Sequence, residues 1–130
     1  MTINYFLLAA GIIGLCFASG HGYWIQKRIM GEVEVSGMPI STKHSIFVFL
    51  HYTTAALFSS AIVLIIASLF SNQPFVHPIA WFIVAINASN FFVFVSGSFA
   101  RNREELRKGI SPIIFMLVWL SIIVAGVIVQ

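Results

Sequence analysis

No lysine, arginine, aspartate or glutamate occurs between Lys43 and Arg101, and that gap decides what this chain can fold into. It is long enough for two membrane-crossing helices, and charge-free stretches of about one span's length lie on either side. A helix crossing the hydrocarbon core needs roughly 20 mostly apolar residues. Four segments meet that demand, at residues 3–25, 45–70, 78–100 and 110–129. With 59% hydrophobic residues, 8% charged residues and a mean hydropathy of +0.98, no water-soluble core absorbs so much apolar surface. The sequence therefore predicts an all-α integral membrane protein, a single antiparallel bundle of four transmembrane helices covering residues 1–130. Barrel strands do not fit, because they would alternate apolar and polar residues, and these apolar runs are continuous.

The distribution of positive charge gives the expected orientation. The loop after the first helix carries Lys27, Arg28 and Lys43; the loop after the third carries Arg101, Arg103, Arg107 and Lys108. The connection Ser71-Asn72-Gln73-Pro74-Phe75-Val76-His77-Pro78 carries none. Under the positive-inside rule, segments 26–44 and 101–109 face the cytoplasm and both termini face outward, with a bacterial inner membrane as the expected location. Topology alone explains the formal charge of +3, so nucleic acid is not an expected partner. Ala18-Ser19-Gly20 resembles a signal-peptide cleavage site. However, no Lys or Arg precedes it, and the first helix is read as retained.

Short connections make consecutive helices antiparallel neighbours. In the longest connection, Glu32-Val33-Glu34-Val35 alternates as a short extended segment would, and Gly37-Met38-Pro39 reads as a turn. Arg103 to Lys108 reads as a helical turn at the membrane surface, with Glu104 and Lys108 at i,i+4 spacing. Tyr23, Trp24 and Trp81 sit where interfacial aromatic residues do, while Trp119 and the mid-span Cys16 read as packing residues.

Polar residues inside the spans are the candidate site. In the first helix, Gly11, Gly14, Ala18 and His21 form a narrow face suited to close helix approach. His44 and His51 share a face of the second helix, followed by Thr53, Thr54, Ser59 and Ser60. In the third, Asn87, Asn90, Gly97 and Arg101 fall on one stripe. At about 1.5 Å per residue, His21 and His51 both lie roughly 10 Å from the nearest cytoplasmic anchor charges, and Asn90 roughly 16 Å from its own. His21, His51 and Asn90 are therefore expected to face the bundle interior within reach of each other. Together with Asn87 they are the candidate cofactor-binding residues. Two histidines on adjacent helices can ligate a b-type haem or a metal ion. The competing reading is interhelical hydrogen bonding with no ligand. A proton-coupled exporter is disfavoured, since no carboxylate lies in a span.

Lys43-His44-Ser45-Ile46-Phe47-Val48-Phe49 resembles the opening of the second helix in the membrane-associated proteins in eicosanoid and glutathione metabolism. Tyr23-Trp24-Ile25-Gln26-Lys27-Arg28 and Leu106-Arg107 occupy places similar to that family's basic loop ends. The resemblance implies four helices, outward termini, trimers and a glutathione-dependent membrane enzyme. Ile46 and Phe49 stand where the family's Asn and Glu are expected, so the polar network around glutathione is not reproduced.

The reading that fits these features best is a non-catalytic accessory subunit or oligomeric component of a larger membrane complex. Its expected partners are lipid and other subunits or copies of itself. The glutathione-dependent enzyme and a His-ligated haem, metal or quinone subunit are the alternatives.

Overall fold

A computed structural model describes residues 2–101 and 103–129, without the side chains of residues 97–109. It is all-helical: α1 (Tyr5–Trp24), a π-helical turn (Ile25–Ile29), α2 (Met30–Val35), α3 (Ile40–Leu69), α4 (Val76–Arg101) and α5 (Arg103–Ile128). Among the described residues, four helical stretches are long and apolar enough to cross a membrane: Tyr5–Val35, Ile40–Leu69, Val76–Ser96 and Ile110–Ile128. The basic cluster Arg101 to Lys108, the Glu104–Lys108 pair and Gly97 fall outside the described side chains.

The first two helical stretches are longer than their apolar runs. α1, the π turn and α2 form one continuous rod of 31 residues, and α3 has 30. At about 1.5 Å per residue each reaches roughly 45 Å, well beyond a hydrocarbon core of about 30 Å. The extended segment expected over Glu32 to Val35 is therefore helical. The π turn explains how that rod keeps its footing. In an unbroken α-helix, Val33 would lie about 80° around the axis from Ile25; one extra residue per turn brings the two back to nearly the same face. Both are buried. The Lys43 ammonium donates to the Glu34 carbonyl at 2.7 Å, and Arg28 pairs loosely with Glu32 at 3.9 Å.

α1 packs on α3 and on α5, and α5 packs on α4, while α3 and α4 share a smaller contact. The seam between α1 and α3 is built by absent side chains. A Cβ on Gly11 would stand 2.5 Å from Ile65 Cγ1 and 2.9 Å from the Ala61 carbonyl oxygen. One on Gly14 would stand 3.0 Å from both Ala61 Cβ and Trp119 Cζ2. The small-residue face thus packs within the bundle. Cys16, expected to pack, is instead exposed on the opposite side of α1.

Burial is concentrated at one end, which carries both termini and the connection between α3 and α4. The core there consists of Leu7, Ala10, Ala18, Leu57, Leu64, Ala67, Val76, Ala80, Ile83, Trp119, Ile123 and Val127. Toward the other, basic end the four-helix core stops. Beyond Leu57 on α3, Asn87 on α4 and Trp119 on α5, none of the described residues of those helices is fully buried. Among the described residues, the rod of α1 and α2 alone continues to bury side chains there, at Ile25 and Val33.

Candidate functional site: polar residues of the helical bundle

At the termini end, Asn4 joins three helices. Its side-chain oxygen accepts from the Leu7 N–H at 3.0 Å, capping α1. Its amide donates to the Gly126 carbonyl on α5 at 2.7 Å, and its backbone N–H donates to the Ser68 carbonyl on α3 at 3.0 Å. Thr2 donates to Asn72 at 2.7 Å, and the Ser71 hydroxyl donates to the Thr2 carbonyl. Gly126 is required there, because a Cβ would lie 2.9 Å from Leu7 Cδ2 and 3.0 Å from Phe6 Cβ. Neither hydropathy nor charge singles out this cluster in the sequence. The available signal was an Asn placed just before an apolar helical run.

Deeper in the bundle, Trp119 is fully buried and its indole N–H donates to the Ala10 carbonyl at 2.7 Å. That carbonyl sits one turn before Gly14, whose missing side chain leaves the approach open. Asn87 is buried as well. Its amide donates to Ile83 O at 2.8 Å and to Ser60 Oγ at 3.2 Å, the polar link between α4 and α3.

Toward the basic end, His21 Nδ1 lies 3.1 Å from Thr54 Oγ1, which itself donates to the Leu50 carbonyl at 3.1 Å. A threonine hydroxyl has one proton. With that proton on Leu50 O, the network assigns His21 as the donor through Nδ1–H, which leaves Nε2 with the free lone pair. The His21 ring lies 6.2 Å from that of Phe17, which stacks on Phe115 of α5 at 4.6 Å. His51 is one turn from Thr54. Its ring packs on Phe47 at 4.2 Å, and its Nε2 is enclosed without a hydrogen-bond partner.

Asn90 departs from expectation. It continues the buried stripe of α4 one turn beyond Asn87, but its side chain is exposed. The structure brings none of His21, His51, Asn87 and Asn90 into hydrogen-bond or ring contact with another. Among the described residues, no three His, Cys, Asp or Glu side chains converge as metal ligands would. His44 and His77 are both exposed; His77 belongs to the first turn of α4 rather than to the connecting loop. A shallow groove of about 470 Å³ is lined by His44, Ser45, Val48, Phe49 and Tyr52. All five residues belong to α3, so the groove has a single wall.

The exposed hydroxyls within the helices are mostly spent on their own backbone. Ser19, Ser45, Thr53, Ser89 and Ser121 each donate to the carbonyl four residues earlier, at 2.8 to 3.0 Å. A carboxamide has two donors and an acceptor to satisfy, so the exposed Asn90 is chemically unlike them.

No protein-family model matches the chain, and neither the curated proteins nor the solved structures include a significant match to it.

Proposed function

We propose that this chain is a non-catalytic component of a helical membrane assembly, inserted with its termini outside and its basic segments 26–44 and 101–109 in the cytoplasm of a bacterial cell. The observation that carries the reading is the incomplete core. The termini half is closed and internally bonded, whereas α3, α4 and α5 bury no described residue toward the basic end. Within a bilayer, polar groups on such an open half must find partners inside the membrane. Helix association there is driven by packing and interhelical hydrogen bonds. A second helical surface would supply both. The interior polar groups also favour assembly over chemistry, because Asn4, Asn87 and Trp119 already donate to Gly126 O, Ser60 Oγ and Ala10 O on neighbouring helices.

The test is to extract the tagged chain in native-lipid polymer discs, weigh the particle and record its absorption spectrum. The expected result is a protein mass well above that of a single 14.4 kDa chain, contributed by further copies or by another subunit. Particles holding one chain and only lipid would overturn the proposal. A Soret band would replace it with the His-ligated haem alternative.

A further inference from the structure

On the outward face of α1, and resting on the membrane insertion in the reading above, we infer that Lys27 and Arg28 seat the phosphate of an anionic phospholipid whose acyl chain runs down past Gly20 and Cys16. Helix length sets the depth. At about 1.5 Å per residue, Tyr5 to Lys27 spans roughly 33 Å, close to a hydrocarbon core of about 30 Å. The exposed Tyr23 and Trp24 sit one turn inside Lys27 and Arg28, where belt residues meet headgroups. Two adjacent cations therefore stand at the phosphate level of one leaflet.

The surface around them is open. Gly11, Gly14 and Ala18 are buried, while Cys16, Ser19 and Gly20 are exposed. A Cβ on Gly20 or on Gly31 would meet nothing within 4 Å. Between those two glycines the Lys27 ammonium folds back over the Tyr23 ring, 5.1 Å from its centroid. Bare backbone thus flanks the pair on both sides, with room for a headgroup above and a chain below. Among the described residues, Lys27 has no carboxylate or carbonyl partner and the Trp24 indole N–H donates to none. Arg28 has only its exposed 3.9 Å pairing with Glu32. Ammonium, guanidinium and indole N–H are donors without acceptors, and a phosphodiester offers only acceptors. The charge balance selects an anionic lipid, because a choline or ethanolamine headgroup would bring its own cation beside Lys27 and Arg28. Lys43 differs, since its ammonium already donates to the Glu34 carbonyl at 2.7 Å.

The experiment places the full-length chain in phosphatidylcholine vesicles with a trace of either phosphatidylglycerol or phosphatidylcholine carrying a mid-chain diazirine. Photolabelled sites are mapped by mass spectrometry. The phosphatidylglycerol probe should label the α1 segment containing Cys16 and Gly20 at least about fivefold more than the phosphatidylcholine probe, and excess unlabelled phosphatidylglycerol should compete it away. Lys27→Gln should lower that labelling about fivefold, the factor expected of one cation at an anionic surface. Lys27→Arg should retain it, and Lys43→Gln, which removes the same charge, should leave it nearly unchanged. Equal labelling by both probes, or equal losses in Lys27→Gln and Lys43→Gln, would overturn the inference. So would labelling by neither probe, the outcome if another helix covers this face. Single-chain particles in the native-lipid discs would remove the assembly reading and leave this one standing. A chain washed from the vesicles by alkaline carbonate would remove both.

Discussion

At the residue scale, the glycines of α1 separate by what lies opposite them. Gly11 faces a backbone carbonyl and Gly14 a methyl group and an indole, whereas Gly20 faces open space. A backbone atom cannot move aside as a flexible side chain can. Gly11→Ala should therefore destabilise the bundle by about 1–3 kcal/mol, the range for overpacked cores. Gly20→Ala should be neutral or stabilising by up to about 1 kcal/mol, since alanine favours a helix interior. Thermal unfolding in detergent separates the two, and equal shifts would remove the close-packed seam. Trp119→Phe should lower stability by about 0.6 to 2 kcal/mol, the range for one intramembrane hydrogen bond, as read by the same melt. The face formed by Gly11, Gly14 and Ala18 was legible because small residues at helical spacing have one common use. The role of Trp119 was not, because the carbonyl it reaches is 109 positions away. Asn90 was misplaced for a related reason. Its spacing puts it on the core stripe correctly, but where a core ends depends on how far the neighbouring helices diverge.

At the element scale, hydropathy marked the four spans and erred at their ends in a consistent way. Apolar runs report where a helix meets hydrocarbon, not where its hydrogen bonds begin. α3 accordingly starts at Ile40, directly after Pro39, rather than at residue 45. The alternation in Glu32-Val33-Glu34-Val35 pointed to an extended segment, but only one valine needs burial, and the π turn rotates Val33 onto α3's side. Two exposed glutamates are also good helix formers. Helical continuation through this stretch predicts slow amide exchange from Met30 to Val35. Glu32→Pro should remove that protection, because proline clashes with the preceding turn and deletes a backbone bond, at about 3 kcal/mol or more. Fast exchange there in the unmodified chain would restore the extended segment and remove the reason for the π turn.

At the scale of the whole molecule, the two ends of the bundle are built on different principles. The termini end is held by Asn4 bridging α1, α3 and α5 and by glycine-mediated contacts, and it is complete within one chain. Toward the basic end, α1 and α2 still bury Ile25 and Val33, while the described residues of α3, α4 and α5 before Leu57, after Asn87 and before Trp119 are not buried. Four-helix architecture could be read from the sequence because a bilayer constrains length and composition so strongly. The difference between the ends could not, because apolar side chains look alike whether they face a neighbouring helix or lipid. The direction in which the open end faces depends on Lys and Arg bias, which sets orientation during insertion. With Lys27, Arg28 and Lys43 at that end and no charge in the connection from residue 70 to 75, the open half should face the cytoplasm. Gln73 and Glu34 are both exposed, one at each end, so thiols placed there report side rather than burial. In a Cys16→Ser background, a membrane-impermeant maleimide applied to intact cells should label Gln73→Cys and spare Glu34→Cys until the membrane is opened. The reverse pattern would turn the molecule over and place its open half on the outer side, where any partner would have to be sought.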